Sequence, residues 1–77
     1  MRIFRPEPPV HVSARVEALT KKAIRLLLLD ENEWPLRSAE WFPLGAVPQV
    51  ERHRYRTGDL DLFLIDAWIF DLKGWRP

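Results

Sequence analysis

The sequence predicts a small, mainly β domain of about five strands closed into a barrel, with a short C-terminal helix and an extended proline-rich N-terminal arm. Three observations carry this expectation. Residues Val10 to Ala18 alternate strictly between apolar and polar, the period of a half-buried strand. Further short apolar runs are punctuated by Asp30-Glu31-Asn32 and Thr57-Gly58, while helical spacing is confined to the C-terminal stretch. The chain has 77 residues and no cysteine, so it holds one core, which only packing and backbone pairing can stabilise. The organisation expected is an arm over residues 1–9 and a single domain over 10–77, with its helix at about 66–74.

The arm contains Arg5-Pro6-Glu7-Pro8-Pro9, whose prolines fix φ and remove amide donors, so it is read as extended and unable to join a sheet centrally. It could carry Ile3 and Phe4 onto the domain. In the first strand Val10, Val12, Ala14, Val16 and Ala18 share one face and His11, Ser13, Arg15 and Glu17 the other. Ala23 to Leu29 makes the second strand, with Ile24, Leu26 and Leu28 toward the core. Glu33 to Ser38 is expected to return from the Asp30-Glu31-Asn32 turn with Trp34 and Leu36 inward, and Pro35 marks that strand as short or at an edge. Ala39 to Pro48 is too broken by Pro43, Gly45 and Pro48 for regular structure and too apolar for a solvated loop. Gln49 to Tyr55 reads as a strand that turns at Thr57-Gly58 into Asp59 to Ile65, with Leu60, Leu62 and Leu64 on one face. Asp66 caps the helix, Ile65 and Phe70 have the spacing of a hydrophobic staple, and Trp68, Leu72 and Trp75 form an apolar stripe. Gly74 ends it.

Thr20, Lys22-Ala23-Ile24, Trp34-Pro35-Leu36-Arg37-Ser38, Gly58-Asp59, Trp68-Ile69 and Lys73-Gly74-Trp75 follow one another over residues 12 to 75. In that order they resemble a family of small uncharacterised bacterial and phage proteins with a T-x-K-A-I strand, a W-[IL]-P-[KR]-S strand and a closing W-L-x-x-x-K-G helix. The resemblance implies an SH3-like or OB-like barrel, carried by phages or other mobile elements, with no catalytic residues to transfer. Here Pro35 and Leu36 stand in swapped order, Asp66-Ala67 precedes the helical Trp68, and Phe70 occupies a position that is usually small or polar.

The charge balance speaks against a phosphate-driven binder. The net charge of +1 divides into +4 over residues 1–29, −4 over 30–51 and +1 over 52–77, with no plainly basic domain. Catalysis has no foothold. His11 and His53 lack the spacing and the cysteines of a zinc site, so no metal or other cofactor is expected. Asp59 and Asp61 could form a carboxylate pair, but in the expected hairpin Arg56 and Arg54 stand opposite them and ion pairing explains all four. No serine or threonine has a nucleophile-elbow context, and no glycine-rich loop could cradle a phosphate. The chain is therefore expected not to be an enzyme. Arg25 interrupts the longest apolar run and Asp30 ends it, short of the roughly 18 to 20 residues a membrane span needs. With no secretory h-region and no cysteine, the expected location is cytoplasmic.

Binding remains. Four Trp and four Phe exceed what so small a barrel readily encloses, so either the 39–48 loop and the helix fold the rings over the barrel ends as plugs, or some of them form a surface covered by a partner. Trp41, Phe42, Phe70 and Trp75 are the expected protein-binding residues, and Glu40, with Asp30, Glu31 and Glu33, would steer toward a basic partner. The expectation is a non-enzymatic protein-interaction module, a phage or mobile-element protein that inhibits or adapts a host protein, as an anti-CRISPR inhibitor does. The mobile-element part follows from the resemblance alone. A homodimer using the same groups is a further outcome. The alternative is single-stranded nucleic acid bound through Arg52, Arg54 and Arg56 interleaved with Tyr55.

Overall fold

A computed structural model describes residues 8–75 of the chain. The expected arm therefore lies outside the described residues apart from Pro8 and Pro9. Strands β1 (Val10–Leu19), β2 (Ala23–Leu29), β3 (Glu40–Pro43) and β4 (Leu60–Ile65) form one antiparallel sheet in the order β3-β2-β1-β4, followed by a single helix, α1 (Ala67–Lys73). The edge strands β3 and β4 do not pair, so the sheet is open. Among the described residues there is no fifth strand, and the expected closed barrel is corrected to an open four-stranded sheet.

β1 and β2 form where the alternation places them, joined by a turn in which the Thr20 hydroxyl accepts the amides of Lys22 and Ala23 at 3.3 and 3.0 Å. One detail escapes the periodicity. The register shifts between Val16 and Ala18, so that Ala18 faces Arg25 and Leu19 faces Ile24. A bulge at this point moves Ala18 off the core face and gives that face to Leu19.

The return from β2 comes later than expected. Asp30 accepts the amides of Asn32 and Trp34 at 2.8 and 2.9 Å, and Glu33 turns the chain at φ 64°, so residues 30–34 close on themselves as a loop. Proline has no N–H to offer a ladder, and Glu33 to Ser38 yields only the isolated bridge Leu29 to Pro35. Trp34 and Leu36, expected inward, are 69% and 56% exposed. The true partner of β2 is β3, inside the segment expected to be irregular.

The second half is reorganised by topology. With β3 and β4 at opposite edges, the chain between them must traverse one face of the sheet. It does so through two 3-10 turns, Leu44–Ala46 and Pro48–Glu51, burying Ala46, Val47 and Tyr55 on the way. Gln49 to Tyr55 is thus not a strand. β4 pairs with β1 instead, after a turn at Gly58 (φ 95°) in which the Gly58 N–H donates to the Val16 carbonyl at 2.7 Å.

Phe42, Phe63, Ile24, Leu26, Ile65, Val16 and Val47 are fully buried on this inner face. Each contributes about 1.5–3 kcal/mol of burial. Asp66 stands at the N-cap of α1, but its carboxylate takes the indole N–H of Trp68 at 3.3 Å rather than a helix amide. The helix buries Ala67, Ile69 and Phe70, which leaves Trp68 and Leu72 of the expected stripe outside, at 51% and 74% exposure. Gly74 ends it in the left-handed region at φ 71°, and the Trp75 N–H turns back to the Phe70 carbonyl at 2.9 Å.

Candidate functional site

The expected docking aromatics divide between two faces. Phe42 is fully buried and Phe70 nearly so, and with half-buried Trp75 they form a ring cluster whose centroids lie 5.7 to 6.2 Å apart. Around it the Arg37 guanidinium stacks 4.2 Å from the Trp75 ring and the Lys73 ammonium lies 5.1 Å from it. Glu40 reaches that ammonium at 3.9 Å. These contacts anchor α1 to β3, so the cluster plugs the open side of the sheet. Phe70 and Trp75 also border an open groove of about 510 Å³, together with Val10, Val12, Leu28 and Leu36. Trp41 alone of the four points the other way, 43% exposed on the outer face.

The basic segment does not build the expected platform. Arg52, Arg54 and Arg56 are exposed, but they lie outside any strand, so their alternation defines no face. Tyr55 is buried, its ring 4.9 Å from that of Phe63 and its hydroxyl donating to Asp61 at 2.5 Å, which removes it as a base-stacking surface. Burial first, and then the Asp61 bond, raises its phenol above the ordinary 10.0, with the Gln49 bond acting oppositely. The expected cross-strand ion pairs are replaced as well. Asp59 accepts the backbone N–H of Arg56 at 2.8 Å, and Asp61 accepts the Leu62 N–H at 2.8 Å beside the Tyr55 hydroxyl.

Both sheet edges are blunted. Along β4 the side chain of Gln49 stands in for a neighbouring strand: its amide oxygen accepts the Leu64 N–H at 2.6 Å, and its amide nitrogen donates to the Leu62 carbonyl at 3.1 Å and to the Tyr55 hydroxyl at 2.9 Å. Along β3 the Leu44 N–H donates to Lys22, so by the two-residue period Phe42 and Glu40 aim their backbone at β2, and Trp41 and Pro43 aim theirs outward. Pro43 brings no donor, and the strand is four residues long. Short, proline-bearing or side-chain-capped edges resist strand addition. The faces of the sheet are left as its accessible surfaces.

The outer face is the exposed one. Register places Leu60, Leu62 and Leu64 opposite Arg15, Ser13 and His11, and Leu27 and Leu29 on the other side of Arg15 and Ser13. Leu60, Leu62 and Leu64 are 55%, 53% and 39% exposed, while Phe63 and Ile65 of the same strand are fully buried. An edge strand apolar on both faces is what the sequence Leu60-Asp61-Leu62-Phe63-Leu64-Ile65 encodes. The charges of this face separate along the strands. Arg25 stands on this face near the start of β2, with exposed Lys21 and Lys22 in the adjoining β1–β2 turn, whereas Asp30, Glu31 and Glu33 follow the far end of β2, where they border a shallow depression with Ser13, Leu29 and Leu60.

Comparison with protein-family models, with curated proteins and with solved structures finds no match to this chain. Among the described residues no three His, Asp or Glu side chains gather as metal ligands, and no helix is long and apolar enough to cross a membrane.

Proposed function

We propose that this domain is a non-enzymatic protein-interaction module whose docking surface is the outer face of the sheet. The observation that carries the reading is the half-exposed stripe Leu60, Leu62 and Leu64, on a strand whose other face already supplies the core. The fold does not need these side chains where they are. Fully burying a leucine contributes about 1.5–3 kcal/mol, so covering the remaining half of three would add about 3 kcal/mol to an association. Trp41, across the sheet on β3, is the aromatic anchor of the same surface. Phe42, Phe70, Trp75 and Glu40 act behind it by fixing β3 against α1. The narrower role, inhibition or adaptation of a host protein by a mobile element, follows from the family resemblance.

The test compares what purifies with the tagged domain and with its Leu62→Lys and Trp41→Ala variants. A partner held by the native domain and lost from both variants supports the reading. A partner retained by both, or binding only to oligonucleotides that weakens steeply with salt, refutes it.

A further inference from the structure

The outer face is complementary to itself, and we infer that it pairs with a second copy of this chain, sheet against sheet, with the strands of the two copies running in opposite directions. This inference rests on the reading of the outer face as a docking surface and names its occupant.

The charges select the arrangement. β2 is seven residues long, so its two ends lie roughly 20 Å apart, well beyond the Debye length of about 8 Å at physiological salt. The basic end at Lys21, Lys22 and Arg25 and the acidic end at Asp30, Glu31 and Glu33 therefore do not neutralise each other within one copy. A two-fold axis lying between the sheets and perpendicular to the strands sets the basic end of each copy over the acidic end of the other, twice per dimer. An axis parallel to the strands would oppose like charges at both ends.

The apolar groups fit the same operator. The same rotation leaves each strand facing its own copy, so the leucine stripe of β4 meets the stripe of the facing β4, and the middle of the sheet, where Ser13 is small and Leu27 is half-buried, meets itself. The one long cation within that middle, Arg15, is tied to Glu17 at 2.9 Å, so it needs no counterion from the facing copy. Aligned sheets pack about 10 Å apart through interdigitated side chains, which leucines spaced two residues apart allow. Four strands at about 4.8 Å spacing and roughly 20 Å length give a flat footprint of roughly 400 Å² per copy. Counted over both copies that is roughly 800 Å², below the roughly 1,200 Å² at which stable interfaces begin and within the range of transient ones, so the dimer is weak and its population depends on concentration.

Sedimentation equilibrium of the full chain over a concentration series reaching the millimolar range reads this directly. The native chain is expected to move from monomer to dimer, and Leu62→Lys to remain monomeric. Lys21→Glu/Lys22→Glu and Glu31→Lys/Glu33→Lys change only exposed turn residues, so folding is not at stake. Each is expected to weaken the homodimer by roughly tenfold or more, because both ends then oppose like charges, and an equal mixture of the two is expected to recover association as a heterodimer. A native chain that stays monomeric throughout overturns the inference, as does a dimer indifferent to Leu62→Lys or to the charge reversals. The wider reading fails separately, if a different protein purified with the domain is held equally by Leu62→Lys and Trp41→Ala.

Discussion

Replacing Gln49 with alanine removes a side chain that serves as a fifth strand for β4. Its amide makes three hydrogen bonds, at 2.6 Å from Leu64 N–H, 2.9 Å to the Tyr55 hydroxyl and 3.1 Å to the Leu62 carbonyl. Each intramolecular hydrogen bond contributes about 0.5–1.5 kcal/mol net, and because Gln49 is half-buried, water replaces part of what is lost. The expected cost is therefore about 1.5–3 kcal/mol. Urea unfolding reads it as a lower midpoint at unchanged slope, and amide exchange reads it as lost protection at Leu64 in particular. Gln49→Glu sharpens the test, since a carboxylate still accepts the Leu64 N–H but cannot donate to Leu62 or Tyr55. Protection at Leu64 is then expected to survive while stability falls. A Gln49→Ala variant with native midpoint and native Leu64 protection would refute the latch.

Three other outcomes are expected. A phenol held above 10.0 by burial and by Asp61 stays protonated in the fold at pH values where the unfolded chain has lost its proton. Its contribution to stability is therefore complete below about pH 10 and is lost as pH rises through the higher folded value, and thermal melts from pH 8 to 11 should decline less steeply for Tyr55→Phe than for the native chain. Glu33→Gly, at φ 64°, is expected to stabilise by about 1 kcal/mol through relief of left-handed strain, read as a higher urea midpoint. Phe42→Ala empties the centre of the ring cluster and is expected to cost about 3–5 kcal/mol, with loss of near-ultraviolet circular dichroism from Trp75.

Local order was legible in the sequence where one residue's environment depends on its neighbours in the chain. The alternation of β1 as far as Val16, the span of β2, the turn at Gly58 and the helix between Asp66 and Gly74 stand where the pattern places them. What the pattern cannot carry is partner choice. Asp59 to Ile65 reads equally well as a strand pairing with Gln49 to Tyr55 or with β1, and only the crossing of the inner face by residues 44–59 decides for β1. That crossing turned the expected closed barrel into an open sheet. It also reassigned Tyr55 and Gln49 from an expected strand to a polar network around Asp61, which no spacing rule identifies.

The surface shows the same division. That this chain carries more apolar groups than it encloses was readable from its composition, and Trp34, Trp41 and Trp68 are indeed 69%, 43% and 51% exposed. Which groups remain outside was not readable, because ring size drew attention to Phe42 and Phe70, whereas the fold draws those inward and leaves leucines out. The signal was present in β4 itself. Phe63 and Ile65 alternate with Leu60, Leu62 and Leu64, so a strand with two apolar faces was written there, and its edge position made one of them a surface.

The most direct measurement joins stability and association in one variant, with Leu60, Leu62 and Leu64 all changed to threonine to keep β-propensity while removing the stripe. If the stripe exists to be covered by another molecule, the unfolding free energy should stay within about 1–1.5 kcal/mol of native, as surface substitutions do, while association is lost. A variant that loses about 3 kcal/mol or more and yet associates as the native chain does would mean that these leucines serve the fold, and the account would be wrong.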